Sequence, residues 1–335
     1  MQVELSVAEF IVGNSMRHLA REHRFLQRVL WRLDFAFIWL LKSCFKLLPI
    51  DKASRLGYRI GSWIGPRMKK KTVIYRENMA LAFPDLNDVA LDQLVARAWG
   101  QAGRILGEYP HLDTFIREED RLDIDIREPL AACSNPARPC VVVSAHLSNW
   151  EVVGSAMARL GIPNDSLYSP PSNPLLDQML LESRQALNCR LLPRDNSAKL
   201  LMRALKEGRT AGMVVDRRVE NGQPISFFGH DKGSTLLPAK LALKYNCDLI
   251  PAQVERLEDA RYRVIFHPPI RPTDLAVDEA AQATDMIQQL HSQFEDWICQ
   301  HPEDWFCSKR LWPKGTVAHQ SEVTGHDNEI DSCAA

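Results

Sequence analysis

Beyond residue 139, short apolar runs alternate with stretches in which apolar residues recur every three or four positions. Cys140 to Ala145, CVVVSA, is a β-branched run that reads as a buried strand. Residues 148–160 follow with helical spacing and stop at Gly161. Ser197 to Glu207 is a second helix, with Ser197 as N-cap and Gly208 as its stop. Ala211 to Val215, Leu249 to Val254 and Tyr262 to His267 read as strands. Pro238 to Tyr245 and residues 275–300 read as helices. Strands alternating with helices predict an α/β domain, a mixed, largely parallel sheet flanked by helices.

The front of the chain has another pattern. Residues 1–30 read as a basic amphipathic helix or a loose arm, and 1–24 hold no apolar core with a cleavage site of the secretory kind. Leu33 to Ile50, LDFAFIWLLKSCFKLLPI, is the most hydrophobic segment, but its longest unbroken apolar run is Phe35 to Leu41. A spanning helix needs about 20 apolar residues, and Lys42 and Lys46 interrupt this one. A short or tilted span, an interfacial helix and a buried helix all fit. Residues 53–82 continue helical, with Gly57, Gly61 and Gly65 spaced for close helix packing, for approach to a bilayer, or for a plain turn. Asn87 to Phe115 reads as one or two amphipathic helices. The expected organisation is a basic, apolar helical membrane-associating region over 1–90, an α/β domain over 91–315, and a polar, disordered tail over 316–335.

Charge sharpens this division. The chain of 335 residues carries 41 basic and 42 acidic side chains, and 45% of it is hydrophobic. This composition excludes collagen-like, coiled-coil and mainly disordered chains. The near-zero net charge conceals an asymmetry. From Arg17 to Arg76 there are 15 Lys/Arg against Glu22, Asp34 and Asp51, and between Arg271 and Lys309 there are eight acids and no base. Bases flanking an apolar segment are drawn to anionic lipid headgroups, so anionic membrane lipid is the expected partner surface and nucleic acid is not. The eight cysteines (44, 133, 140, 189, 247, 299, 307 and 333) form no C-x-x-C pair and no zinc spacing with histidine. They read as small hydrophobes of a reducing compartment, and no metal is expected.

The sharpest chemical feature is VVVSAHLSNWEVVG, residues 141–154. His146 follows a buried strand at its carboxyl end, where open α/β sheets bind ligands. Glu151 lies five residues on, in the first turn of the next helix. An imidazole base with an orienting carboxylate suits proton abstraction. Ser148 to Glu151 also reads as a capping box, in which the glutamate serves the helix end. Asp216, closing the strand GMVVD, is a second carboxylate for His146 if the two strands are neighbours. The spacing does not choose between Glu151 and Asp216.

At HLSNWE the chain resembles the glycerolipid and lipid A acyltransferases, which share an H-x4-D/E motif. It is most similar to the bacterial late acyltransferases of lipid A biosynthesis, the lauroyl/myristoyl transferase group. The resemblance runs over about residues 30–314. It includes Leu48-Pro49, RENMALAFPD (76–85), Glu108, Asn173 to Asp177, Phe227-Phe228-Gly229 and HPEDWFCSKRLW (301–312). The chain departs from the family pattern at Arg217-Arg218, Ser169, Cys307 and Ser308.

The resemblance implies a glycerolipid-acyltransferase-like fold with an N-terminal helical anchor at the cytoplasmic face of the bacterial inner membrane. It implies transfer of a fatty acyl chain from acyl carrier protein thioester to a hydroxyl of a lipid A precursor. The thioester serves as co-substrate, without a further cofactor. His146, with Glu151 or Asp216, would be the catalytic base. Arg217 and Arg218 suit a lipid phosphate or the oxyanion, or a solvated loop; Arg184 is a weaker candidate. Phe228 and Gly229 would wall an acyl chain or simply pack the core, and Asn149 joins this group as a substrate contact. Acylation of another lipid, such as a lysophospholipid or aminolipid, and a catalytically silent lipid-binding scaffold are the alternatives.

Overall fold

The computed structural model describes residues 17–128, 138–184, 187, 189–194 and 196–317. Cys133, Cys333, most of the N-terminal arm and nearly all of the polar tail lie outside the described residues.

Among the described residues, five helices come first: α1 (Arg17–Glu22), α2 (Arg24–Lys46), α3 (Ile50–Ile64), α4 (Lys69–Ala82) and α5 (Asp88–Glu108). Asn87 caps α5 by accepting the Ala90 N–H at 2.9 Å. Leu91, Leu94, Val95 and Ala98 repeat at helical spacing on its buried face. The glycine spacing resolves as helix packing. Gly57 and Gly61 of α3, and Gly65 just past its end, lie against Trp99 and Gly103 of α5, and Gly107 of α5 lies against Ala53. A Cβ at Gly57, Gly61 or Gly103 would collide with the facing backbone. Without side chains the two axes approach closely and the seam is backbone on backbone.

Nine strands follow among the described residues: β1 (Leu122–Ile126), β2 (Val141–Ser144), β3 (Asn164–Tyr168), β4 (Cys189–Pro193), β5 (Thr210–Val214), β6 (Gln223–Phe227), β7 (His230–Ser234), β8 (Leu249–Arg256) and β9 (Tyr262–Phe266). Seven form one sheet in the order β1-β9-β8-β2-β5-β3-β4. Every neighbouring pair is parallel except β8 with β9. β2 is central and buried on both faces. Val141 and Val143 face one core with Tyr75, Met79, Leu94, Met213 and Trp305. Val142 faces the other with Val152, Ala156, Ile250 and Tyr262. That is the period of two expected of a strand, and burial on both faces makes its sequence a continuous apolar run.

Helix ends differ in detail from the pattern. The helix after β2 is Val152–Arg159 with Glu151 at its N-cap, and Gly161 turns the chain at φ 69°. The next predicted helix is Ser197–Lys206; its N-cap is Asn196, in the left-handed region at φ 58°, rather than Ser197. The last helix begins at Glu279, capped by Asp278. β6 and β7 form a separate antiparallel hairpin packed on it.

Among the described residues, no helix is long and apolar enough to cross a membrane. α2 carries the apolar segment, but Leu30, Asp34 and Phe45 are buried against the protein. Lys42 donates to Ser183 at 2.7 Å, and Lys46 pairs with Asp113 at 2.9 Å. Of the three readings of this segment, the span finds no helix to form it among the described residues, and Lys42 and Lys46 are bound to the domain. The helical front leaves Phe25, Phe37, Trp39, Leu40, Leu47 and Trp63 exposed.

Candidate active site

The site is built where two parallel strands end. β2 and β5 pair with constant register, Val141 beside Ala211 and Ser144 beside Val214. The ladder continues through the Val215 N–H to the Ser144 carbonyl at 3.0 Å. Two residues past each strand the same register sets His146 beside Asp216. His146 Nδ1 lies 2.5 Å from Asp216 Oδ1. The other carboxylate oxygen accepts the Trp305 indole N–H at 3.2 Å.

Asp216 is wholly enclosed, at 1% exposure. Burial alone pushes its carboxyl up, but His146, Lys232 and Arg217 together hold it far below the usual carboxylate range. An anionic acid at Nδ1 favours the tautomer that carries its proton there, and that tautomer has Nε2 as its accepting nitrogen. The Trp150 ring stands edge-on to the imidazole, with centroids 4.8 Å apart.

The closing segment straps this loop in place. The Phe306 N–H donates to the His146 carbonyl at 2.7 Å, and the Ser148 N–H to the Asp304 carbonyl at 2.8 Å. Asn78 of α4 donates to the carbonyls of Cys307 and Lys309, each at 2.7 Å. Thus the 76–85 and 301–312 stretches, far apart in sequence, meet behind the histidine.

Glu151 does not reach His146. Its carboxylate takes the Arg184 guanidinium instead, both side chains being largely buried. The capping box is not formed either: Ser148 stands at φ 52° and its Oγ finds no hydrogen-bond partner. The left-handed turn at Ser148 delays the helix to Val152 and sends Glu151 towards Arg184. Arg184 is correspondingly spent on Glu151 rather than open to a ligand.

Asn149 lies inside the protein, against Glu108. It is fully buried and donates to Glu108 Oε2 at 2.9 Å. Glu108 further accepts Ser54 Oγ–H at 2.6 Å and Arg256 Nη1–H at 2.7 Å, and it also accepts the Tyr262 hydroxyl. This carboxylate knots α3, α5, the loop after β2 and two strands together, and Asn149 is tied into that loop through it.

Arg217 and Arg218 do stand beside the dyad. Arg217 is half-buried, and no carboxylate among the described residues forms an ion pair with it. Burial lowers its affinity for its proton, and Asp216 raises it. Arg218 is loosely paired with Glu220 at 3.6 Å. Phe228 and Gly229, at φ 51° and 69°, form the two-residue turn of the β6–β7 hairpin. The Phe228 ring packs on Phe83 and Trp305, so core packing accounts for it.

The sequence pattern overlooked Trp305 as a partner of Asp216, and Lys232, which is entirely buried with its ammonium 2.6 Å from the Asp216 carbonyl. Trp305 lay within the quoted HPEDWFCSKRLW stretch. A lysine between Asp231 and Gly233 carries no signal of burial. Among the described residues, no group of three or more His, Cys, Asp or Glu is arranged to hold a metal ion.

Residues 17–314 match the family model described as bacterial lipid A biosynthesis acyltransferase. A lipid A biosynthesis acyltransferase of Haemophilus influenzae is 20% identical over 286 residues, covering 84% of this chain and 87% of the relative. The lipid A biosynthesis lauroyltransferase of Escherichia coli K12 is 23% identical over 267 residues, covering 77% and 85%. A phosphatidylinositol mannoside acyltransferase of Mycobacterium tuberculosis is 23% identical over 206 residues, covering 60% of each. The match spans the helical front, the sheet and the closing segment alike: this chain is an acyltransferase and belongs to the bacterial lipid A biosynthesis acyltransferase family.

Proposed function

We propose that the protein transfers a fatty acyl chain from acyl carrier protein thioester to a hydroxyl of a lipid A precursor, with His146 as general base and Asp216 as its orienting acid. The observation that carries this reading is the Nδ1–Oδ1 contact of 2.5 Å at adjacent strand ends. A hydroxyl attacks weakly until its proton is taken, and a positioned base contributes typically ~10²–10⁴-fold. His146 Nε2 takes the proton as the hydroxyl oxygen bonds to the thioester carbonyl carbon. The tetrahedral intermediate then collapses, the C–S bond breaks, and the imidazolium returns the proton to the departing thiolate. Asp216 stabilises the imidazolium in between. No protein nucleophile enters the sequence of steps.

Arg217 is the residue for the negative charge of the acceptor, a lipid phosphate, with Arg218 beside it. Its guanidinium is half-buried without an acid of its own, which favours a bidentate anion. The exposed aromatic and leucine side chains of α2 and α3, with the basic residues around them, form an interfacial anchor on anionic lipid at the inner membrane's cytoplasmic face. Phe35, Trp39, Lys42 and Lys46 line a groove of about 340 Å³ on this side, against Leu175 and Met179.

The test is to incubate the protein in mixed micelles with acyl carrier protein thioester and a lipid A precursor, and to weigh the lipid products. A precursor heavier by one acyl chain is expected. Acylation of a phosphatidylinositol mannoside or lysophospholipid acceptor, and not of the precursor, would move the activity to another lipid.

A further inference from the structure

Lys232 is an unusual residue to find in a core. Its side chain is 0% exposed, yet among the described residues no carboxylate lies within ion-pair distance of it. Its ammonium donates to the Asp216 carbonyl at 2.6 Å and stands 4.1 Å from the centroid of the Phe227 ring. Burying an unpaired ammonium costs several kcal/mol, so its place beside the dyad calls for a role.

We propose that Lys232 is a positioning residue of the dyad, a buried cation held on the Asp216 carbonyl whose charge beside Asp216 limits how strongly that aspartate draws a proton onto the His146 imidazole. This rests on the acyl-transfer reading given above. An aspartate alone beside a histidine draws a proton onto the ring, and a protonated ring is no base. A cation beside the aspartate opposes that pull. Asp216 Oδ1 is nonetheless in direct contact with the ring, so the imidazolium formed during reaction still meets the nearer, negative charge.

The other groups around Lys232 agree with this division of charge. Asp216, at the end of β5, and Glu295, on the Glu279–Gln300 helix, are the acids that act on it. Glu295 accepts the Phe228 N–H at 2.7 Å, and burial raises its carboxyl. His291, on the same helix, is pushed down to about 3 by burial and by Lys232, and is therefore neutral. Burial pulls the ammonium itself down to about 8, which leaves it charged at neutral pH.

The test compares Lys232→Met, which removes charge and hydrogen bond, with Lys232→Gln, which keeps a donor and removes only the charge. Two readouts are taken on the full chain: kcat/KM for acyl transfer against pH, and the NMR titration of His146 in ¹³C-histidine-labelled protein, assigned by its loss in His146→Gln. Both variants should move the acid limb of the rate profile and the His146 titration upward together, by about 1 pH unit, slowing transfer about tenfold on that limb. A titration unchanged in both variants overturns the proposal. So does a shift in the methionine variant alone, which would make the hydrogen bond the agent, or loss of the fold in both, which would make Lys232 structural. The NMR arm needs no substrate, so an inactive wild type with a shifted His146 titration in both variants would defeat the acyl-transfer reading and keep the electrostatic link between Lys232 and the dyad.

Discussion

Asp216 faces His146 because β2 and β5 are parallel neighbours in fixed register, Ser144 beside Val214, and each strand overruns its last paired residue by two. The contact is a property of the sheet and not of the H-x4-E motif. Asp216→Asn should therefore keep the fold and lose ~10²–10⁴ in kcat, because the amide no longer stabilises the imidazolium. Circular dichroism with steady-state rates checks both halves. Full turnover in the asparagine variant would remove Asp216 from the mechanism.

Glu151 and Arg184 form a largely buried pair. Breaking it from either side leaves the other charge without its partner, at about 3–5 kcal/mol. The single variants Glu151→Gln and Arg184→Gln should each lower stability, and the double variant should be no worse than the poorer single. A double-mutant cycle by chemical denaturation gives the coupling, which should be no smaller than the lesser single loss, about 3 kcal/mol or more. Additive losses would mean that the two side chains act separately.

How much of this was legible follows from which contacts are local. The β-branched run at 141–143 announced a buried strand, and His146 at its end announced a site. Its partner depended on strand order, since β5 lies beside β2 only because β3 and β4 are placed further out. The sequence offered Glu151 because it was near, but the left-handed turn at Ser148 turns it away. β3, NDSLY, and the hairpin strands QPISF and HDKGS escaped notice because they are short and polar and do not alternate cleanly. The glycine spacing of α3 was visible, but its partner surface on α5 was not.

The α3–α5 seam gives a stability prediction independent of chemistry. A methyl group at Gly103 would strike the Gly57 carbonyl and the Gly61 backbone. Gly103→Ala should lower stability by about 1–3 kcal/mol through overpacking, visible as a drop in thermal midpoint. An unchanged midpoint would show that the seam yields without cost.

His291 sets a pH dependence. Its hydrogen bonds are to the Ser226 carbonyl at 3.0 Å and Ser234 Oγ at 3.3 Å, and in the folded protein it resists protonation down to about 3 against 6.5 ordinarily. The unfolded chain thus binds one more proton than the folded one between those values. Stability is full above about pH 6.5 and is lost as pH falls towards 3. His291→Gln should flatten that part of the urea-denaturation profile. An identical slope in the variant would assign the acid loss elsewhere.

Trp39 and Trp63 are more than half exposed on the helical front, at 54% and 62%. Replacing both by alanine should weaken binding to anionic vesicles in flotation assays while leaving turnover of a detergent-dispersed acceptor intact. Undiminished flotation would place the membrane contact on another face.

The most direct measurement is acyl transfer by His146→Ala against wild type, with acyl carrier protein thioester and a lipid A precursor, read by mass spectrometry under single-turnover conditions. Wild type should add one acyl chain, and the alanine variant, equally folded, should fall by ~10²-fold or more. Equal product from both would contradict His146 as the base and with it the role given to Asp216.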